Sequence, residues 1–274
     1  MRYLRIAAVV LFVCSLAFYG WASFRYYSGV NADLPEIIST EEVPEISVKD
    51  GTQALLRGLT ARDATDGDLT GEIVVASVSH FLEPGVVSVK YVVFDSHNNP
   101  ASLVRKVRFT DYESPRFSLR SPAVYTRGSS FDLLNRLQVI DCLDGDISNR
   151  IRVISNMVNS YIAGVYPVTL EVTNSCGDMS QLTLWVTVVD KENTAAIALK
   201  EYIVYLEQGV SFDPYALVES VTDQAGGYLP KEQVQVKGSI DANTPGCYQL
   251  TYSYAGDGAS GQTIITVVVT GREA

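Results

Sequence analysis

Along most of this chain apolar and polar residues alternate with period two. Gly85 leads into Val87, Val89, Tyr91 and Val93, with Ser88 and Lys90 between them. Gly164 leads into Tyr166, Val168, Leu170 and Val172, separated by residues such as Thr169 and Glu171. Gly246 leads into Tyr248, Leu250, Tyr252 and Tyr254, with Gln249, Thr251 and Ser253 interleaved. Successive side chains of a strand point to opposite faces, so this pattern predicts strands with one buried and one wet face. Each is followed by a turn rich in Asn, Gly and Asp (96–100, 174–178, 255–261) and by a second β-rich run at 102–109, 181–189 and 262–269. Those turn residues tolerate positive φ and close hairpins. The three glycines stand 79 and 82 residues apart, and an earlier glycine recurs at Gly51, Gly128 and Gly209. The chain therefore reads as all-β, with three tandem sandwiches of roughly seven short strands each and no convincing helix.

The N-terminus breaks the pattern. Residues 6–24 carry no charge over 19 positions. As a helix they would cover roughly 28 Å, close to the hydrocarbon thickness of a bilayer. Arg2 and Arg5 precede the run, which predicts a cytoplasmic tip, a transmembrane anchor over 1–25 and an extracellular bulk. Tyr19, Trp21, Tyr26 and Tyr27 fall where an interfacial aromatic belt would sit. The competing reading is a signal peptide cut after Ala22, which would give a secreted protein. Cys14 does not make a lipoprotein site, because Phe12 and Val13 before it are bulky. Residues 26–44, acidic and Pro-punctuated, read as a stalk, followed by domains at 45–110, 111–190 and 191–274. The brief polar linkers between them favour an extended rod.

Charge narrows the partners. The net charge is −10, and −13 once Arg2, Arg5 and Arg25 are set aside. Such a surface repels phosphate backbones, so nucleic acid is excluded as a partner. His80 and His97, the two histidines, lie in loops without a motif around them. No nucleophile elbow, zinc-protease helix, phosphate loop or dinucleotide fingerprint is present, so an enzyme is not expected.

In the first repeat the residues Asp63, Asp66-Gly67-Asp68-Leu69-Thr70, Gly85 and Asp95 follow one another in order. The second gives Asp141, Asp144-Gly145-Asp146-Ile147, Gly164-Val165-Tyr166 and Asn174, and the third keeps only Asp223 with Gly226 and Gly227, then Gly246-Cys247-Tyr248. This series resembles the bacterial immunoglobulin-like repeat of the pesticidal-crystal-protein type, related in style to hyalin and cadherin-like repeats. The first two copies match well and the third diverges. The resemblance implies immunoglobulin-like sandwiches in an exported, surface-exposed setting. It also places the loop after the second strand at the same end as the last hairpin. Asp63, Asp66, Asp68 and Asp95, with Asp141, Asp144 and Asp146 in the second repeat, would then be candidate oxygen ligands for Ca²⁺. The alternative is turn chemistry, in which the carboxylates accept from nearby backbone N–H groups. Cys142 and Cys176 fall in two loops of that same end and are expected to form a disulfide. The expected function is a membrane-anchored structural or interaction protein of a bacterial envelope. Calcium-dependent adhesion or cell-wall glycan binding is one alternative, and an accessory subunit of an envelope complex is another; a protein or glycan would be the ligand.

Overall fold

A computed structural model describes residues 2–28, 34–190 and 192–271, with side chains of the N-terminal helix described over 10–24. Two compact units emerge, Met1–Phe109 and Thr110–Ala274.

The first unit holds a helix, Arg2–Ser28, and one sandwich. The described helix side chains are exposed or nearly so, including Leu11, Phe12, Leu16 and Phe18. Among the described residues no helix is long and apolar enough to cross a membrane. The expected span over 6–24 is therefore not established. Its side chains at 6–9, the Arg2 and Arg5 flank, and Tyr26 and Tyr27 of the aromatic belt lie outside the described residues.

The sandwich faces a three-stranded sheet (Glu36–Ser39, Leu59–Asp63, Gly67–Asp68) against a four-stranded one (Glu45–Ile46, Pro100–Phe109, Val86–Phe94, Val74–Val78). The alternation read from sequence holds, since Val87, Val89, Tyr91 and Val93 are fully buried. The stalk expected over 26–44 needs correction. Glu36–Ser39 pairs antiparallel with Leu59–Arg62 and buries Ile37, so the sandwich already begins there. Acids and Pro35 around a four-residue strand hid that alternation.

An unexpected element of this core is a buried cation. Arg105 is 6% exposed, on a strand otherwise read as simple alternation. Its guanidinium donates to the carbonyls of Leu55 (2.8 Å) and Arg57 (2.7 Å) and to Ser39 Oγ (2.8 Å). It also lies 5.1 Å from the Tyr91 ring centroid, and the Tyr91 hydroxyl donates to Leu55 O at 2.7 Å. One side chain thus ties the two sheets to the loop between them.

The second unit contains two sandwiches built to the same plan. The first pairs Gly145–Asp146, Leu137–Asp141 and Arg116–Leu119 in one sheet, and Arg152–Asn156, Gly164–Thr173, Met179–Val189 and Val124–Thr126 in the other. The next pairs Ala195–Leu199 with Val218–Asp223, facing Ile203–Glu207, Ala259–Thr270, Gly246–Gly256 and Gln235–Lys237. Every repeat splits its leading strand, so that the second half runs parallel to the last strand. The Gly-x-Tyr landmark has a physical cause. Tyr166 and Tyr248 each donate back to a carbonyl four residues upstream, at Ile162 and Thr244, both 2.8 Å. A Cβ on Gly164 would meet the Tyr166 ring at 3.4 Å, an ordinary contact, so the tyrosine bond rather than lack of space accounts for the landmark.

Replacing Arg105 by Met is expected to destabilise the first sandwich by about 2–3 kcal/mol, because charge-assisted bonds to buried carbonyls are lost. Urea titration reads this as a lowered midpoint; an unchanged midpoint would refute the role assigned to the guanidinium.

Candidate functional site

The candidate site is the end of each sandwich where the turn after the second strand meets the last hairpin. In the first repeat Asp63 ends its strand, and its Oδ1 accepts from the N–H groups of Thr65 (2.7 Å) and Asp66 (2.8 Å). This bends the chain into the Gly67 turn, where φ is +79°. Asp68 closes the next corner by accepting from Thr70 N at 3.0 Å. The Thr70 side chain and backbone hold the Asp68 carboxyl below the usual carboxylate range. Asp66 reaches the opposite sheet: its Oδ2 accepts from Ser96 N at 2.7 Å and its Oδ1 from Ser96 Oγ at 2.8 Å. Asp95 organises the hairpin itself, with Oδ1 taking the N–H groups of His97 and Asn99 and Oδ2 taking Asn99 Nδ2, at 2.7–2.8 Å. Burial pushes the Asp95 carboxyl up, but the bonds from Asn99 and His97 more than offset it and keep it below its ordinary value.

The second repeat repeats these bonds with a few exchanges. Asp141 Oδ1 accepts from Leu143 N (2.9 Å) and Asp144 N (2.8 Å). Asp144 bridges to Ser175 through N (2.7 Å) and Oγ (2.6 Å), and adds an ion pair with Arg150 at 2.6 Å. Asp146 takes the Ser148 N–H at 2.9 Å together with its hydroxyl, which holds its carboxyl low. Asn174 fills the place of Asp95: its Oδ1 accepts from Cys176 N and Asp178 N, while its Nδ2 donates to Asp141 Oδ2 at 3.1 Å and to the Tyr112 hydroxyl at 2.9 Å. The Tyr112 hydroxyl in turn donates to Asp178 Oδ2 at 2.6 Å. Burial first, and Asp178 second, push that phenol well above its usual range.

All seven candidate ligands, Asp63, Asp66, Asp68, Asp95, Asp141, Asp144 and Asp146, thus accept hydrogen bonds that shape turns. Among the described residues no group of three or more His, Cys, Asp or Glu side chains gathers around a common metal position. The expected Cys142–Cys176 disulfide is not formed; both are free thiols. Cys142 Sγ donates to the Glu113 carbonyl at 3.1 Å and accepts from Glu113 N at 3.4 Å, so it is engaged by the chain leading into the repeat. Cys176 is buried in the hairpin, and burial is the main cause that pushes both thiols up. His97 merely flanks the bridge, with Nδ1 3.3 Å from Ser96 Oγ.

Sequence reasoning missed Ser96, Ser175 and Tyr112. Their signal was present: a serine follows the hairpin Asp or Asn in both Asp95-Ser96 and Asn174-Ser175. The third repeat keeps the turn, with Asp223 Oδ1 accepting from Gly227 N at 2.7 Å. Its hairpin is instead a two-residue connection at Asp257 (φ +50°) and Gly258 (φ +75°), the conformation that left-handed turn residues favour.

Asp144 should carry a pH signature. Burial raises its carboxyl, but Ser175 and Arg150 overcome this and lower it. A depressed native value means the contribution is complete above the unfolded value near 4 and is lost as pH falls through the native one. Asp144→Asn should therefore cost about 1–3 kcal/mol at pH 7. The gap between wild type and variant in urea midpoint should close toward pH 2, and a gap independent of pH would contradict this.

Comparison with known proteins agrees with these repeats. Residues 205–269, within the divergent third copy, match the family described as Bacterial Ig-like domain (group 3). The chain is 28% identical over 224 residues to the pesticidal crystal protein Cry22Aa of Bacillus thuringiensis, covering 78% of this chain and 30% of that protein. It is 23% identical over 223 residues to an uncharacterized 81.3 kDa protein of Acholeplasma phage L2, with the same coverages of 78% and 30%. The chain thus spans under a third of either relative. Among solved structures, Drosophila N-cadherin EC1-3 aligns at 12% identity and TM-score 0.31, covering 85% of this chain and 98% of that one. The M60 catalytic domain with two CBM51 domains from Clostridium perfringens ZmpB aligns at 12% and 0.25, covering 89% and 31%. Both structural likenesses are too low to bear on function. The resemblance read from the aspartate turns and the Gly-x-Tyr strands is borne out by the sequence matches: residues 205–269 match a bacterial immunoglobulin-like domain, and the chain is similar to the pesticidal crystal protein over 224 residues.

Proposed function

We propose that this chain is a non-catalytic spacer and interaction module, tethered to a bacterial envelope and holding its immunoglobulin-like repeats outside the cell. The observation that carries the reading is the joint between the second and third repeats. Ile203–Glu207 uses both of its faces. Val204 and Leu206 enter the core of the third repeat, whereas Ile203 belongs to the core of the second and Tyr205 packs against it. Cys247 and Val268 join that contact from neighbouring strands. The Tyr205 hydroxyl accepts from Phe117 N at 2.8 Å, and the Arg116 guanidinium lies 5.3 Å from its ring centroid. Burial pushes the Tyr205 phenol up to about 12. Two repeats fused through a shared apolar seam transmit position, which is what a spacer must do. Tethering is supported by the uncharged run at 6–24 and by the exposed apolar side chains of the helix.

One feature favours glycan or peptide capture as a second reading. A groove of about 570 Å³ runs along this joint, lined in part by Tyr112, Arg116, Gln181, Tyr205, Glu207 and Thr270. Aromatic faces and fixed polar groups together suit a sugar or an extended peptide.

Ile203→Ala combined with Tyr205→Ala should split one calorimetric transition of residues 110–274 into two. The Ile203 truncation alone should cost about 2–5 kcal/mol. Two separate transitions in the unaltered protein would remove the basis of the spacer reading. Fractionation with mass measurement of the mature N-terminus tests the tether: a membrane-bound product retaining residues 2–24 is expected, and a soluble product starting at Ser23 would overturn it. For the second reading, Gln181→Ala and Arg116→Ala should abolish any retention on a cell-wall glycan array, whereas retention unaffected by both would place binding elsewhere.

A further inference from the structure

We propose that the first repeat binds a divalent cation, calcium by its donor chemistry, between the carboxylates of Asp63 and Asp95, and that the second repeat does not. The inference goes beyond the spacer reading and stands independently of it. It starts from an orphaned atom. Asp63 is 7% exposed, and its Oδ2 is buried without a hydrogen-bond partner. A buried carboxylate oxygen left bare is costly.

The second repeat shows where that oxygen points. The two turns correspond bond for bond. Asp63 and Asp141 each take two backbone N–H groups on Oδ1, and Asp66 and Asp144 each take the N–H and hydroxyl of a hairpin serine. Asp95 and Asn174 each take two hairpin N–H groups on their own Oδ1. The remaining branch of Asn174 is an amide that donates to Asp141 Oδ2 at 3.1 Å. In the first repeat the same branch is Asp95 Oδ2, which has no proton to give. The acceptor on Asp63 therefore faces a second acceptor where the other repeat supplies a donor.

Surrounding charges differ in the same direction. Arg150 neutralises Asp144 in the second repeat; six residues beyond Asp66 the first repeat has Glu72 instead. Among the described residues, Asp66 forms no counterpart of the Arg150–Asp144 ion pair in the first repeat, where its carboxylate is held by Ser96. Two carboxylate acceptors meeting in a buried place call for a cation between them. Oxygen-only donors at a solvent-reachable loop suit Ca²⁺, which completes six to eight positions with water and carbonyl oxygens. Two carboxylates predict weak binding, in the range of about 10⁻⁴–10⁻³ M typical of extracellular modules.

The test is calcium titration of the full chain in mild detergent, by calorimetry and by thermal melting with and without chelator. Wild type should bind one Ca²⁺ and melt higher with it. Asp95→Asn copies the arrangement that Asn174 already adopts. It should lose calcium binding, raise the melting temperature in chelator and make melting indifferent to calcium. Asn174→Asp should create a second site, giving two ions per chain. Absence of heat at about 10 mM Ca²⁺, an order above the expected range, would overturn the proposal. So would undiminished binding by Asp95→Asn, or equal calcium shifts in every variant.

Discussion

The first two sandwiches of this chain depend on a carboxylate that crosses from one sheet to the other. Each repeat is two sheets that share no backbone ladder, so apolar packing alone would leave their loop ends free to splay. Asp66 and Asp144 prevent this by taking both the N–H and the hydroxyl of a serine in the opposing hairpin. Charge-assisted bonds of this kind are short and directional, which fixes the distance between the sheets as well as their tie. Asp63 and Asp141 prepare the crossing by bending the chain so that the next carboxylate faces the hairpin. Remove the crossing and the turn still forms, but the hairpin is no longer registered against it.

The third repeat shows what happens without it. Asp223 preserves the bend, yet among the described residues of this repeat no aspartate bonds across to the hairpin. The hairpin has shortened to a tight two-residue turn that runs the ladder to its tip, from Gly246–Val269 to Gly256–Ala259. Order at that end comes from continuous strand pairing instead. Order elsewhere comes from the seam with the second repeat, where Ile203 completes a neighbour's core.

Much of this was legible in the residues. Strict alternation at Val87–Val93 and Val168–Val172 marked one buried face, because a strand with one wet side must write its environment in every second letter. The aspartate turns were legible because a carboxylate satisfies the N–H groups that a bend orphans. Where one residue answers to two environments, the reading failed. The run Ile203-Val204-Tyr205-Leu206 does not alternate, since both of its faces are buried, and a single sequence does not name the second face. Arg105 carried no signal of its role in the sequence; the carbonyls of Leu55 and Arg57, some fifty residues away, explain its burial. Cys142 and Cys176 shared an end of the sandwich as expected, but the Glu113 backbone holds the Cys142 thiol.

The split leading strand has a mechanical consequence. In every repeat its second half lies parallel to the final strand, so the two ends of a domain leave in opposite directions along one hydrogen-bonded pair. A pull along the chain therefore loads those bonds together, in shear, rather than peeling them one at a time. The paired length grows from two residues in the first repeat to three in the second and five in the third. Tension on the chain would accordingly meet a graded series of clamps, weakest in the first repeat.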